Sequence, residues 1–161
     1  MSQTIPRRSL NLRRSVLSVP SINLRALEKS HSLDCDAVIF DLEDSVSPEK
    51  KEQARENLRA FFAGPPLEGK ERIIRINSLS SEFGPADLDL VKALLPDAVL
   101  LPKVDGPRDI TDMGDLLADS DAPEELRIWA MIETPRGVLN AGAIAESGRT
   151  PGSRLDCLVV G

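Results

Sequence analysis

The sequence predicts an α/β fold, a (β/α)8 TIM barrel of which about six βα units are present in these 161 residues. Three observations predict it. Six short apolar, β-branched runs recur with a helical pattern between each pair, and strands alternating with helices pair in parallel through right-handed crossovers. The turn after the first run, Val19-Pro20-Ser21-Ile22-Asn23, contains no glycine, so the phosphate-cradling loop of an open dinucleotide-binding sheet is missing. Polar residues instead follow the C-terminal ends of successive runs, where barrel active sites gather.

The first strand is expected over Val16–Pro20, with a helix over Leu24–His31 behind it. The second, Ala37–Phe40, ends abruptly in Asp41, Glu43 and Asp44, and a helix follows over Pro48–Phe62. In that helix Ala54, Leu58, Phe61 and Phe62 share one face, which leaves Lys50, Lys51, Glu52 and Glu56 for solvent. Gly64-Pro65-Pro66 and Ser80–Pro85 read as loops around the third strand, Arg72–Ile76. A helix over Pro85–Leu94, a strand over Ala98–Leu101 and a helix over Pro107–Leu117 come next. The fifth strand, Arg127–Ile132, alternates Trp129 and Met131 with Ile128 and Ala130, all core residues. A helix over Pro135–Glu146 and a strand over Leu155–Val160 complete the series. Proline opens four of these helices, where the first N–H has no intrahelical partner to lose.

Composition narrows the function classes. A net charge of −6, with no basic run beyond the N-terminus, argues against nucleic acid, which is held by clustered Lys and Arg. Aromatics make up 3% with no Tyr, so stacking platforms for bases are lacking too. No apolar run approaches the ~18 residues of a membrane helix, and a soluble protein without membrane partners is expected. Cys35 and Cys157 are isolated from each other in sequence and read as buried reduced thiols, in keeping with a cytoplasmic location. Residues 1–13 are expected to be a flexible tail: they carry Arg7, Arg8 and Arg13 without an acid or the apolar core of a secretory signal. His31, at a helix C-terminus, suits that end of the dipole and is read as structural.

The candidate site is assembled from strand ends. Asp41, Glu43 and Asp44 would repel one another unless a cation or strong donors sit among them. The plainer reading is a solvated turn in which Asp44 or Ser47 caps the next helix. Arg75 and Asn77, two apart, are expected on one face of the third strand. A guanidinium within Ile73-Ile74-Arg75-Ile76 must be paired, either with the barrel's own acids or with a bound carboxylate in two-point fashion. Lys103 follows the fourth strand, as an ion-pair partner or a site residue, and Glu133 follows the fifth. Carboxylates from different strands suit Mg²⁺, which prefers hard oxygen ligands and keeps waters or substrate in its remaining positions.

Five motifs in series carry a resemblance: Arg14-Ser-Val-Leu-Ser-Val-Pro20, Asp36-Ala-Val-Ile-Phe-Asp-Leu-Glu-Asp-Ser-Val46, Arg75-Ile-Asn77, Leu101-Pro-Lys-Val104 and Ile132-Glu-Thr-Pro135. Together they resemble the citrate lyase β-subunit-like branch of the HpcH/HpaI aldolase superfamily, from Arg14 to Gly161. The resemblance implies that residues 14–161 are the N-terminal portion of a TIM-barrel lyase domain. It implies a Mg²⁺-dependent carbon–carbon lyase that cleaves or forms a 3-hydroxyacyl-CoA thioester of the citryl-CoA or malyl-CoA type, commonly as a trimer. The partners would be an oxoacid, an acyl-CoA and further copies of the chain.

By position, Glu133 would be a direct Mg²⁺ ligand, with Glu43 and Asp44 holding metal-bound waters behind it. Arg75 would clamp the oxoacid carboxylate, making Arg75, Glu43 and Asp44 the catalytic set. Arg14 would bind either the substrate or the strand-two acids, while Asp41 anchors the loop and Asn77 and Lys103 give support. Ser21 stands where relatives often have Gly or Ala. The family has an aspartate a few residues beyond a glycine like Gly161 as its second direct ligand, and a later aspartate for acid–base chemistry. This polypeptide, shortened relative to that pattern, is therefore expected to be inactive alone. A CoA-independent pyruvate-type aldolase and a non-catalytic binding or assembly protein remain the alternatives.

Overall fold

The computed structural model describes residues 12–161. Its elements are β1 (Val16–Pro20), α1 (Leu24–Lys29), β2 (Ala37–Asp41), a 3-10 turn (Pro48–Lys50) running into α2 (Lys51–Ala63), and β3 (Glu71–Arg75). They continue with α3 (Gly84–Leu94), β4 (Ala98–Leu101), α4 (Pro107–Ala118), β5 (Arg127–Ile132), α5 (Pro135–Ser147) and β6 (Leu155–Val160). All six strands are parallel and lie in sequence order, β1-β2-β3-β4-β5-β6, in one sheet. This is an incomplete (β/α)8 barrel, six strands of the eight, with its helices against one face.

Two cores follow from the period-2 alternation of the strands. Outward-facing Val38, Phe40, Ile74, Val99, Ile128 and Ala130 meet Ala54, Leu58, Leu90 and Met113 of the helices in the larger cluster. Inward-facing Ala37, Ile39, Ile73, Ala98, Leu100 and Trp129 form a smaller one. Above it an open cavity of about 390 Å³ is lined by Ile39, Arg75, Leu100, Trp129, Met131 and Val159, among others. β6 carries one extra residue, Asp156, opposite the Ile128–Trp129 step of β5, and this bulge brings Cys157 beside Trp129.

The expected elements are all present, with ends displaced by one or two residues except at the α2 start, where the first turn is 3-10. One displacement matters: β3 ends at Arg75, so the strand alternation does not carry Asn77 onto the face of Arg75. Asn77 turns to α3 instead, where its N and Nδ2 donate to Asp87 Oδ2 at 2.8 and 2.6 Å.

Lys51 is also not in solvent as expected. It lies on the stripe of Ala54, Arg55 and Leu58, is buried, and donates through Nζ to the carbonyls of Leu42 and Glu43, each at 2.7 Å. At the N-terminal boundary, residues 1–11 of the expected tail lie outside the described residues. Arg13 belongs to the folded part: it donates in two-point fashion to Glu71 (both contacts 2.7 Å) and to Asp156 Oδ2 at 2.6 Å. Its guanidinium also lies 4.7 Å from the Trp129 ring centroid. The physical reason is pairing, since two acids at the starts of β3 and β6 hold a residue that in sequence looks like any other tail arginine.

Cys35 and Cys157 are free and half-buried, and burial pushes both thiols above their ordinary range. His31 tilts against Phe61 with ring centroids 5.1 Å apart. Among the described residues no helix is long and apolar enough to cross a membrane.

Candidate active-site rim at the C-terminal strand ends

The loop after β2 is shaped by Asp41. Its Oδ1 accepts from Glu43 N at 2.8 Å and its Oδ2 from Ser45 N at 3.1 Å, which folds the chain back over the strand end. Lys51 grips the carbonyls of residues 42 and 43 from below, and Asn77 Nδ2 donates to the Leu42 carbonyl at 2.9 Å. Asp87, which orients Asn77, is itself ion-paired to Arg55 Nε at 2.8 Å in the core. Neither Asp44 nor Ser47 caps α2; Ser47 Oγ donates to Glu49 instead, at 2.6 Å.

Arg75, at the end of β3, gives Nε and Nη2 to the two oxygens of Asp41, both at 2.6 Å. Burial alone would push the Asp41 carboxyl up, but these bonds and the two loop amides hold it below its ordinary value. The same bonds raise Arg75. The planar fork expected to take a substrate carboxylate at two points is therefore spent on Asp41, because a strand-end aspartate lies directly across the register (Asp41↔Arg75). Nη1 is left on the cavity side, 3.3 Å from Glu43 Oε2 and 3.5 Å from Met131 Sδ.

Lys103, after β4, completes the rim. Its ammonium contacts Glu43 Oε1 directly and lies 3.4 Å from Asp44 Oδ1, and the bond to Glu43 raises its pKa above the ordinary value. Its backbone N donates to Glu133 Oε1 at 2.9 Å, and its φ of 51° is left-handed, uncommon outside glycine. Nearby, Gly137 lets α5 approach the loop after β4, since a Cβ there would lie 2.3 Å from the Val104 carbonyl oxygen.

Glu43, Asp44, Arg75, Lys103 and Glu133 are thus brought together, and Asp41 and Asn77 support them. Arg14 is not among them. It sits before β1, pairs with Asp36 at 3.2 Å at the start of β2, and is exposed. A five-residue strand separates it from the rim acids by roughly 16 Å. Bonds from Arg14 and the Ser15 amide hold Asp36 down to about 2. Ser21 is buried beneath the rim, its Oγ without a hydrogen-bond partner, and its carbonyl accepts from Asn57 Nδ2 at 3.0 Å. Lys51, Arg55 and Asp87 were not anticipated; two cations on the apolar stripe of α2 were the available signal.

The carboxylates fit a hard divalent cation in kind. Glu43 Oε2 is buried without a hydrogen bond, and a lysine ammonium already leans on the acid pair. Among the described residues no three metal-ligating side chains converge. A cation here would take one or two carboxylates, with waters or substrate in its other positions.

The family model for HpcH/HpaI aldolase/citrate lyase matches residues 14–161. The chain belongs to that family. It is 40% identical over 139 residues to a (3S)-malyl-CoA thioesterase of Cereibacter sphaeroides, covering 86% of this chain and 47% of that protein. To citrate lyase subunit beta of Escherichia coli K12 it is 35% identical over 152 residues, covering 91% and 50% respectively. Among solved structures, CitE of Mycobacterium tuberculosis in complex with magnesium, acetoacetate and coenzyme A superposes with a TM-score of 0.72 at 26% identity, over 92% of this chain and 49% of that one. The chain spans about half the length of the relatives it matches.

Proposed function

We propose that this family member carries the oxoacid- and metal-binding part of the active site of a Mg²⁺-dependent carbon–carbon lyase acting on a 3-hydroxyacyl-CoA thioester. The observation that supports it most is the rim itself: Glu43, Asp44, Arg75, Lys103 and Glu133 come from four successive strand ends, and Lys103 links them, its ammonium on Glu43 and Asp44 and its backbone N on Glu133, while Arg75 Nη1 lies beside Glu43. A bound Mg²⁺ would supply the positive charge that polarises a carbonyl or hydroxyl of the oxoacid half. Glu133 would hold it, and Glu43 and Asp44 would orient its waters. Arg75 would offer Nη1 to the oxoacid carboxylate as one charged hydrogen bond, with Asp41 fixing the direction of the guanidinium. Leu100 and Trp129 beneath the rim would keep water from the reacting carbons. Copies of the chain are proposed to associate, as the resemblance implies.

A hydrolytic reading is favoured by one observation, the likeness to a protein named as a thioesterase. Product analysis separates the two. Malyl-CoA incubated with Mg²⁺ and this chain extended to the full length of its relatives gives acetyl-CoA and glyoxylate if carbon–carbon cleavage is the reaction. Free CoA and malate would mark hydrolysis. Turnover unaffected by Glu133→Gln would contradict the site in either case.

A further inference from the structure

We propose that Lys103 is the built-in counter-cation of the acidic rim, holding Glu43 and Asp44 where a divalent ion acts and giving way when one binds. This rests on the metal reading above. Glu43 is enclosed, its side chain only 7% exposed, and two cations flank it. Arg75 is locked, because Asp41 takes two of its nitrogens. Lys103 is not: its side chain is 50% exposed, so the ammonium can swing to solvent on a flexible stem. Both of its ends matter to the same acids, since Nζ reaches Glu43 and Asp44 while its backbone N holds Glu133 Oε1.

The residue type points the same way. At a φ of 51° glycine would be the conformationally easy choice, yet a lysine stands there, whose ammonium neutralises carboxylates that would otherwise repel one another. A divalent ion near Glu133 doubles the local positive charge and repels the ammonium. Lys103 thereby tunes the affinity of the rim, keeping the acids paired when no ion is bound and weakening the ion's hold when one is.

The test is a titration of the polypeptide with Mn²⁺ at low ionic strength, with free ion read by electron paramagnetic resonance. Lys103→Met removes the ammonium and keeps the stem; Lys103→Gly removes both and suits the left-handed backbone, so a folding defect in one does not obscure the result. Each is expected to bind Mn²⁺ about three- to tenfold more tightly than the wild type, the size of one nearby charge at partly screened distance. Lys103→Arg should stay near the wild type. Equal or weaker binding by both Met and Gly variants, with binding still lost in Glu133→Gln, overturns the role of Lys103 and leaves the metal reading standing. No Mn²⁺ binding by the wild type or any variant overturns both.

Discussion

At Asp41 each carboxylate oxygen accepts two hydrogen bonds, one from the Arg75 fork and one from a loop amide, Glu43 N or Ser45 N. Asparagine offers one acceptor oxygen in place of two and no charge. Asp41→Asn is therefore expected to cost about 3 kcal/mol in chemical denaturation, the lower end for breaking a buried pair. The sign of its pH dependence follows from the lowered carboxyl. Unfolded Asp41 takes up a proton near 3.8, the native group only below that. Its contribution is fully present above the unfolded value and is lost as pH falls through the native one. Stability of the wild type should thus fall more steeply with acidification below about pH 4 than that of Asp41→Asn, and parallel denaturant curves at pH 5 and pH 3 measure the difference.

The same residue shows what could be read in the sequence. Three acids closing an apolar run marked the loop, and an arginine inside Ile73–Ile76 had to be paired. That Asp41, rather than a ligand, takes the fork depended on register across two strands, which single-sequence pattern does not fix.

The loop after β2 is held as a unit by its neighbours α2, β3 and α3. Lys51 and Asn77 hold its carbonyls, and Asn77 is held by Asp87, whose other oxygen bonds Arg55. Asp87→Ala leaves Arg55 only its pair with Glu52 and the Phe83 carbonyl, and Asn77 Nδ2 only the Leu42 carbonyl, at a cost of about 3 kcal/mol, the lower end for breaking a buried pair. A double-mutant cycle of Asp87→Ala with Arg55→Met should show strong coupling, whereas additive losses would mean that the two act separately. Gly137→Ala is expected to cost about 1–3 kcal/mol, because the added methyl meets the Val104 carbonyl at 2.3 Å and backbone must move; thermal melts would show it.

Element type and order were legible because strand period, proline starts and loop residues agreed. Lys51 is not legible in the same way, because a lysine on an apolar stripe looks solvated in sequence while the Leu42 and Glu43 carbonyls that hold its ammonium are set by the fold.

Across the whole incomplete barrel, an arginine lines the open interior at each end. Arg75 lies at the C-terminal rim. Arg13 lies at the other end, joining Glu71 of β3 to Asp156 of β6 over the face of Trp129. Its partners lie 58 and 143 residues away in sequence, which is why it could not be told apart from Arg7 and Arg8 in the basic N-terminal segment. Arg13→Ala should loosen β6 first, seen as faster amide exchange in Leu155–Val160 than in β2 or β3. Uniform exchange across the sheet would argue against that strap.

Whether the rim binds an oxoacid beside a divalent ion is decided by calorimetry of pyruvate binding to this polypeptide with Mg²⁺ present. The wild type is expected to bind saturably. Arg75→Ala and Arg75→Lys should weaken binding, the former by ~1.5–3 kcal/mol, the usual worth of a charged hydrogen bond. Glu133→Gln should remove the dependence on Mg²⁺. Pyruvate binding that is equal in all four proteins, or absent from the wild type, would contradict the assignment of the site.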